Sequence, residues 1–441
     1  MVYLPHWPIP STLGRRQVDY ETVFERMETV LKKLNNPHQK LPPVIHVAGT
    51  NGKGSAVSLI SKILTYAGYK THIYTSPHLH DCNERIVLAN EKISDSFLFE
   101  VMEETRIHAA QEPQITPLTF MEAFTIGAFL AFSKVPADVL IIECGMGGRI
   151  DSTNILEKKL ATVLMPISFD HVEYLGNSIE RIALEKSMIM RPNTPLIVSS
   201  QPKKAREIIE ILAHDQNILT YFYDENFEII ADEESGEFDL RFGELIFENL
   251  PKPALLGSHQ YINFASAIAT VLAISEKFPV KKENISQAIS TVSWPSRIEK
   301  IENNLNKILK NSESEIWIDG AHNEAGAFSL ARWILEKNDK KTFVICGFSR
   351  GKCRKEFLEK FKNVAEIVAI RVDGEPYPEE AKVIAEIGEL SGIKILTADD
   401  LLDAINLIAK MNNFTPCRIV ICGSLHLARD VRKFGINLDY E

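Results

Sequence analysis

The chain has no C-x-x-C pair: its six cysteines (Cys82, Cys144, Cys346, Cys353, Cys417 and Cys422) are scattered over 441 residues. Several lie inside apolar runs such as VICGF and VICGS, so they read as packed, reduced thiols of a cytoplasmic protein, not disulfides or a zinc site. No apolar run approaches the roughly 18–20 residues that a membrane span needs. The opening stretch, MVYLPHWPIPSTLGRRQ, shows no charged segment followed by an apolar one, as a signal peptide would. Positive charge is outnumbered, with 49 Lys and Arg against 59 Asp and Glu. A formal net charge of −10 argues against a nucleic-acid partner and leaves any anionic ligand to local cations. Repeats, low-complexity segments and the N-K-x-D guanine motif are all missing. With 45% hydrophobic and 24% charged residues, the balance is that of a globular protein long enough for two or three domains.

The stretch that organises the chain is VIHVAGTNGKGS, Val44 to Ser55. Val44 to Val47 is short, apolar and β-branched, the pattern of a buried parallel strand. The loop Gly49-Thr50-Asn51-Gly52-Lys53-Gly54-Ser55 follows, then an amphipathic helix ending near Gly68. Strand, glycine loop, lysine and helix make a phosphate cradle. Glycines let backbone N–H groups turn inward, the helix N-terminus adds partial positive charge, and Lys53 adds a full one. Ser55 is placed to offer a hydroxyl to Mg²⁺. The spacing departs from the general P-loop, with Val47 at the first glycine position and Gly54 directly after Lys53. A glycine turn that binds nothing is the competing reading.

Further strands carry polar residues to the same edge. Lys70 to Tyr74 leads into Thr75-Ser76-Pro77-His78-Leu79 and then Asn83-Glu84-Arg85-Ile86, read as a substrate loop. Val139 to Glu143 is the clearest buried strand, and a glutamate at its end is where a Walker-B-type Mg²⁺ acid belongs. Ala161 to Ile167 reads as a strand delivering Ser168-Phe169-Asp170-His171. Helices are predicted over Tyr20 to Leu34, Ser94 to Gln111, Leu118 to Phe132, Ser178 to Met190, Gly257 to Ala273 and Ile285 to Val292. Leu196 to Ser199 is one more strand. Phe222 to Leu250 reads as a peripheral hairpin region, and the first 19 residues as an extended arm. A boundary is expected near Trp294-Pro295-Ser296-Arg297, dividing the chain into 1–295 and 296–441. Beyond it β and α alternate in a second doubly wound domain, which brings Asp319-Gly320-Ala321-His322-Asn323 to a strand end. The fold class is α/β throughout. A two-lobed ATP enzyme suits this arrangement, with a simple nucleotide switch as the alternative.

Several motifs, in order, resemble those of the folylpolyglutamate synthase/dihydrofolate synthase family of the Mur ligase superfamily. They are GTNGKGS, IIECGMGGRIDSTNIL, DHVEYLG, EKS, WPSRIE, DGAHN and CGSLHLARDVR. The resemblance implies a P-loop ATPase-type Mur ligase domain, a mostly parallel sheet with helices on both faces, followed by a Rossmann-like C-terminal domain. It implies a cytoplasmic, ATP-dependent ligase, monomeric and free of membrane. Such an enzyme phosphorylates the carboxylate of dihydropteroate or a reduced folate, and the amine of L-glutamate then displaces phosphate. On this reading Lys53 and the backbone from Thr50 through Asn51, Gly52 and Gly54 to Ser55 hold the phosphates. Ser76, Glu143 and His171, with Ser55, hold Mg²⁺, at two sites in all. Lys186 matches a lysine that is often carbamylated, which would make it an anion able to support the second ion. Asn263, with His259 and Gln260 nearby, falls near the adenine. Arg297 reaches the phosphates across the domain junction, and Asp319 and His322 contact ribose and phosphate. Pro77, His78, Arg85, Phe120, Arg149, Asp151 and Ser152 are the substrate-binding candidates. The sequence GGRIDST stands where dihydropteroate-accepting members usually read GGRLDAT, so the resemblance favours that acceptor. Two alternatives are a peptidoglycan-type ligase, for which only about forty residues precede the loop, and a non-catalytic nucleotide-binding protein.

Overall fold

The structure, a computed structural model, describes residues 20–111, 116–232, 234–373, 375 and 377–433. The extended arm expected for the first 19 residues lies outside these. The chain divides into two compact units, residues 1–254 with 261–292 and residues 255–260 with 293–441.

In the first unit the apolar runs become strands β1 (Val44–Ala48), β2 (Thr71–Tyr74), β5 (Val139–Glu143), β6 (Ala161–Leu164) and β7 (Leu196–Val198). The sheet also takes in β3 (Ile86–Leu88), β4 (Glu91–Lys92) and β8 (Thr220–Phe222), in the order β4-β3-β2-β5-β1-β6-β7-β8. β2, β5, β1, β6, β7 and β8 run parallel. The antiparallel edge corrects the expected loop, since Ile86 pairs with Tyr74. β6 is shorter than expected. Pro166 has no N–H to continue a ladder, and its carbonyl instead accepts from Thr50 and Asn51 at 2.9 and 3.3 Å.

β1 lies between β5 and β6, with Val47 beside Glu143 and Ala48 beside Leu164. The loop leaving β1 therefore opens beside the ends of both neighbours, where doubly wound sheets bind ligands. Helix Phe120–Lys134 packs one face of this core. It buries Phe124, Phe129 and Phe132 completely or nearly so, each contributing on the order of 2–3 kcal/mol. The helix expected over Ser178 to Met190 is Ile179–Ser187, capped by Ser178, and a separate single turn, Val172–Leu175, precedes it. Two features were not anticipated. Helix Lys203–Asp215 buries Ala205, Ile209 and Ala213 on one face. The acidic stretch forms three antiparallel strands, not a hairpin: β9 (Phe227–Ala231), β10 (Phe238–Phe242) and β11 (Leu245–Leu250).

The second unit is a six-stranded sheet of β12 (Glu299–Ile301), β13 (Glu315–Ile318), β14 (Lys341–Cys346), β15 (Glu366–Ile370), β16 (Ile395–Ala398) and β17 (Cys417–Cys422). Its order is β12-β13-β17-β14-β15-β16, with only the unanticipated β12 antiparallel. Strand alternation feeds two cores: Val344, Cys346, Val420 and Cys422 face one, Phe343, Ile345, Ile419 and Ile421 the other. All six cysteines are free thiols. Among the described residues no helix is long and apolar enough to cross a membrane.

Candidate active site

The loop after β1 is held by close approach. Gly52 has φ +82°, and a Cβ there would lie 2.3 Å from Asn263 Oδ1. Gly49 has φ +148°, and its Cβ would lie 2.6 Å from that of Met165. Only glycine satisfies both the torsion and the space. The Thr50 hydroxyl donates to Ser168 O (3.1 Å) and accepts from Ser168 N–H (3.0 Å), which ties the loop to the segment after β6. The N–H groups of Thr50 and Asn51 are thus directed at Pro166. Helix Lys53–Tyr66 begins where this loop ends, so its N-terminus brings the positive end of the helix dipole to the same edge. Lys53 Nζ lies 3.1 Å from Thr50 O and 3.8 Å from Glu143 Oε1. Ser55 Oγ is buried and has no hydrogen-bond partner among the described residues.

Glu143 is only 5% exposed at the end of β5 and accepts the Ser76 N–H at 3.4 Å. Asp170 and His171 follow β6. His171 is left-handed (φ 48°) at the start of its one-turn helix, and its Nε2 lies 3.8 Å from Asp170 Oδ1. No three His, Cys, Asp or Glu side chains among the described residues gather into a metal cluster. Mg²⁺ fits what is there, because it takes one or two carboxylates and completes its shell with water and phosphate oxygens. The orphaned Ser55 hydroxyl, two residues along the helix from Lys53, is a buried polar group that such an ion would satisfy.

Lys186 is fully enclosed near the end of helix Ile179–Ser187, and its Nζ donates to Gly49 O at 2.8 Å. Burial, then the charge of Lys53, pull its pKa down to about 7. The backbone there is clamped by the GGR turn. A Cβ on Gly148 would lie 2.7 Å from Glu185 O, and Arg149 N–H donates to that same carbonyl at 2.9 Å.

The substrate candidates divide. Pro77, His78, Arg85 and Phe120 form one cluster. Arg85 Nε donates to His78 Nδ1 at 2.8 Å, and its guanidinium lies 5.6 and 5.4 Å from the Phe120 and Phe124 ring centres. Phe120 is 38% exposed and Pro77 is exposed, so the cluster opens to solvent. Arg149 is occupied elsewhere: Glu21 grips its guanidinium with both oxygens (2.8 and 3.0 Å) and Glu185 takes its Nε (3.0 Å). Asp151 is buried, with both oxygens accepting hydrogen bonds from its own loop. Ser152 turns its hydroxyl to Thr125 at 2.7 Å. Gly145 was missed as a site residue, yet a Cβ there would stand 3.4 Å from both Ser76 Oγ and Asp151 Oδ2 and 3.7 Å from Met121. A second lysine, the half-buried Lys159, also has its pKa drawn to about 7, by desolvation and then by Arg191.

In the second unit Asp319 staples its own edge. Oδ2 accepts Ile298 N–H and Oδ1 accepts Ala321 N–H, both at 2.8 Å. Burial raises its pKa, and Arg297 opposes the rise. Arg297 donates to Ser296 O (2.9 Å), His322 Nδ1 lies 2.7 Å from Gly320 O, and Asn323 caps helix Glu324–Glu336. His259 is half-buried, and loss of solvent around its ring together with Arg297 brings its pKa down to about 4.

A glycine loop with lysine and a strand-end glutamate beside it suit a nucleotide-phosphate site, and the Mur ligase middle domain model matches residues 47–271. The C-terminal domain model of dihydrofolate synthetase matches residues 299–434. The chain belongs to the dihydrofolate synthase/folylpolyglutamate synthase family of Mur-type ligases. It is 29% identical over 433 residues to the dihydrofolate synthase/folylpolyglutamate synthase of Bacillus subtilis, covering 95% of this chain and 96% of that one. Among solved structures, Mycobacterium tuberculosis folylpolyglutamate synthase complexed with ADP superposes with TM-score 0.84 at 28% identity, covering 95% of each chain. E. coli FolC in complex with DHPP and ADP gives 0.79 at 25% identity, covering 96% of this chain and 94% of that one. The protein is thus an ATP-dependent acid–amino-acid ligase.

Proposed function

We propose that the chain joins L-glutamate to dihydropteroate, and extends reduced folates by the same chemistry. One observation carries this reading. A single loop links the Glu143 end of the glycine loop to an aromatic cluster: Ser76 contacts Glu143, and His78, two residues on, holds Arg85 over Phe120 and Phe124, with Phe120 open to solvent. A flat conjugated ring fits stacking surfaces of that kind. A carboxylate at the far end of such an acceptor would meet the phosphate site.

In the reaction an acceptor carboxylate oxygen forms a bond to the γ-phosphorus of ATP, and ADP leaves with the bridging electrons. The glutamate amine then attacks the acyl carbon, the C–O bond breaks towards phosphate, and the amine loses a proton as the amide forms. Lys53 and the helix N-terminus hold the phosphate charge through transfer, and the rigid glycine loop fixes their position. Mg²⁺ held by Ser55, Ser76 and Glu143, with His171, would supply further charge compensation between nucleotide and acceptor. Asn263, packed on Gly52, borders the nucleotide. Arg297 and His322 are the second unit's candidates for phosphate, with Asp319 positioning Arg297's loop.

Lys186 is carbamylated in the working enzyme, on this reading. Its lowered pKa leaves much of the amine neutral near pH 7, and the neutral amine is the form that adds CO₂, releasing a proton and leaving an anion. Intact-mass measurement in bicarbonate at mild pH should show an added 44 Da (the mass of CO₂) that is absent from Lys186→Arg; an unmodified mass at every bicarbonate level rejects it. The function itself is tested by ATP-dependent incorporation of labelled L-glutamate, with dihydropteroate and tetrahydrofolate assayed separately. Incorporation with dihydropteroate supports the proposal, and incorporation with neither acceptor defeats it.

A further inference from the structure

His46, in the middle of β1, is completely buried and takes part in none of the chemistry above. Its Nε2 lies 2.8 Å from Thr153 Oγ1 and 3.0 Å from Cys144 Sγ, the residue next to Glu143. Thr153 directs both its hydroxyl and its N–H (3.0 Å) at Asp151 Oδ1, while Asp151 Oδ2 accepts Met146 N–H at 2.9 Å. Donor counting fixes the direction of this chain. A carboxylate offers only lone pairs, so the one proton of the Thr153 hydroxyl points to Asp151. Thr153 Oγ1 can then only accept from His46, which places the ring proton on Nε2. Nδ1 is left as a buried lone pair, without a partner among the described residues. Burial of the ring and the charges of Lys159 and Arg191 disfavour protonation there. An apolar side chain would fill the same volume without an unsatisfied nitrogen. What the histidine adds is a single N–H aimed at Thr153.

We propose that His46 is a positioning residue for the acceptor: through Thr153 it sets the Asp151 carboxylate and ties the IDST turn to the residue beside Glu143. The proposal rests on the reading that Asp151 belongs to the acceptor site. It predicts an effect on acceptor binding separate from nucleotide binding, because the Gly49–Lys53 loop is held by Pro166, Ser168 and Met165 and not by His46.

The experiment compares His46→Leu, His46→Gln and Thr153→Val in the full chain, each checked for folding by circular dichroism. Loss of one buried hydrogen bond should raise the KM for dihydropteroate about tenfold, with the KM for ATP within about twofold. His46→Gln keeps an N–H donor and should recover most of the loss. The His46→Leu/Thr153→Val double variant should be no worse than either single change, since both break one chain. Thr153→Val alone carries the test if His46→Leu does not fold. Effects that add, or acceptor and ATP KM values that rise together, or His46→Gln matching His46→Leu, overturn the proposal. Asp151→Asn separates the two readings. If it raises the acceptor KM while the His46 and Thr153 changes do not, the positioning role alone fails; if it leaves that KM unchanged, the acceptor-site reading fails and takes the proposal with it.

Discussion

At the scale of single residues, the chemistry concentrates where strand ends meet. Lys53 and Glu143 lie 3.8 Å apart, both largely enclosed. Lys53→Ala and Glu143→Ala should each lower ligation at least about 10²–10³-fold, the scale of losing one preorganised charge, without moving the thermal midpoint by more than a few degrees. Substantial turnover by either folded variant would refute the site assignment. Both positions were legible as candidates in the sequence, a lysine after a glycine loop and an acid closing an apolar strand, and the pairing of β1 with β5 is what brings them together. The contacts that redirect Thr50 and Asn51 to Pro166 were not legible, since they join positions more than a hundred residues apart. Arg149 illustrates the same limit. Within the GGRIDST motif it reads as a ligand residue, yet its donors go to Glu21 and Glu185. His46 was hidden differently, as a polar residue inside an apolar run whose partners come from a distant loop.

At the scale of elements, local pattern served well where one face is apolar. The capping box at Thr119 and Glu122 starts helix Phe120–Lys134, and Glu122 also receives Arg26 from helix Val23–Lys33 (2.7 Å). Removing Arg26 leaves a nearly buried carboxylate without its counter-charge, so Arg26→Ala should cost about 3–5 kcal/mol. Arg26→Met with Glu122→Leu together should cost less than Arg26→Ala, as read from denaturant midpoints. An equal or larger loss in the double variant contradicts the ion-pair account. The short strands β3, β4, β8 and β12, at or next to the sheet edges, were the hardest to anticipate. They are two to three residues long and owe their pairing to a neighbour, not to an intrinsic preference for extended chain. Helix Lys203–Asp215, by contrast, carries an i, i+4, i+8 apolar row that was there to be read.

For the whole molecule, buried ionisable groups set how stability varies with pH. His46, His72 and His259 have folded-state pKa values below the ordinary 6.5, His259 near 4, chiefly through burial. The unfolded chain binds their protons first as pH falls. Stability is therefore intact above pH 6.5 and declines on acidification, by about 1.4 kcal/mol per pH unit for His259 down to pH 4. Lys159 and Lys186 act at the other end. Their pKa values of about 7 against an ordinary 10.5 mean that the unfolded chain is the better proton binder between those limits, so stability climbs from pH 7 towards 10. Denaturant midpoints recorded across pH 4 to 10 should rise over both intervals, and the alkaline rise should shrink in Lys159→Met. A flat profile above pH 7 would show that neither lysine is held neutral. The α/β character of both units was legible from alternating apolar runs and short links, but the strand order of the second, with β17 inserted between β13 and β14, was not, because alternation fixes neither the order nor the edge.

The central claim is that the acceptor's own carboxylate is phosphorylated before the amide forms. Dihydropteroate labelled with ¹⁸O in both carboxylate oxygens tests it directly, with the released phosphate analysed by mass spectrometry after one turnover with ATP and L-glutamate. One ¹⁸O atom per phosphate is the predicted result, because the oxygen that bonds to phosphorus leaves with it. Unlabelled phosphate accompanying amide formation would contradict the mechanism and the site built around it.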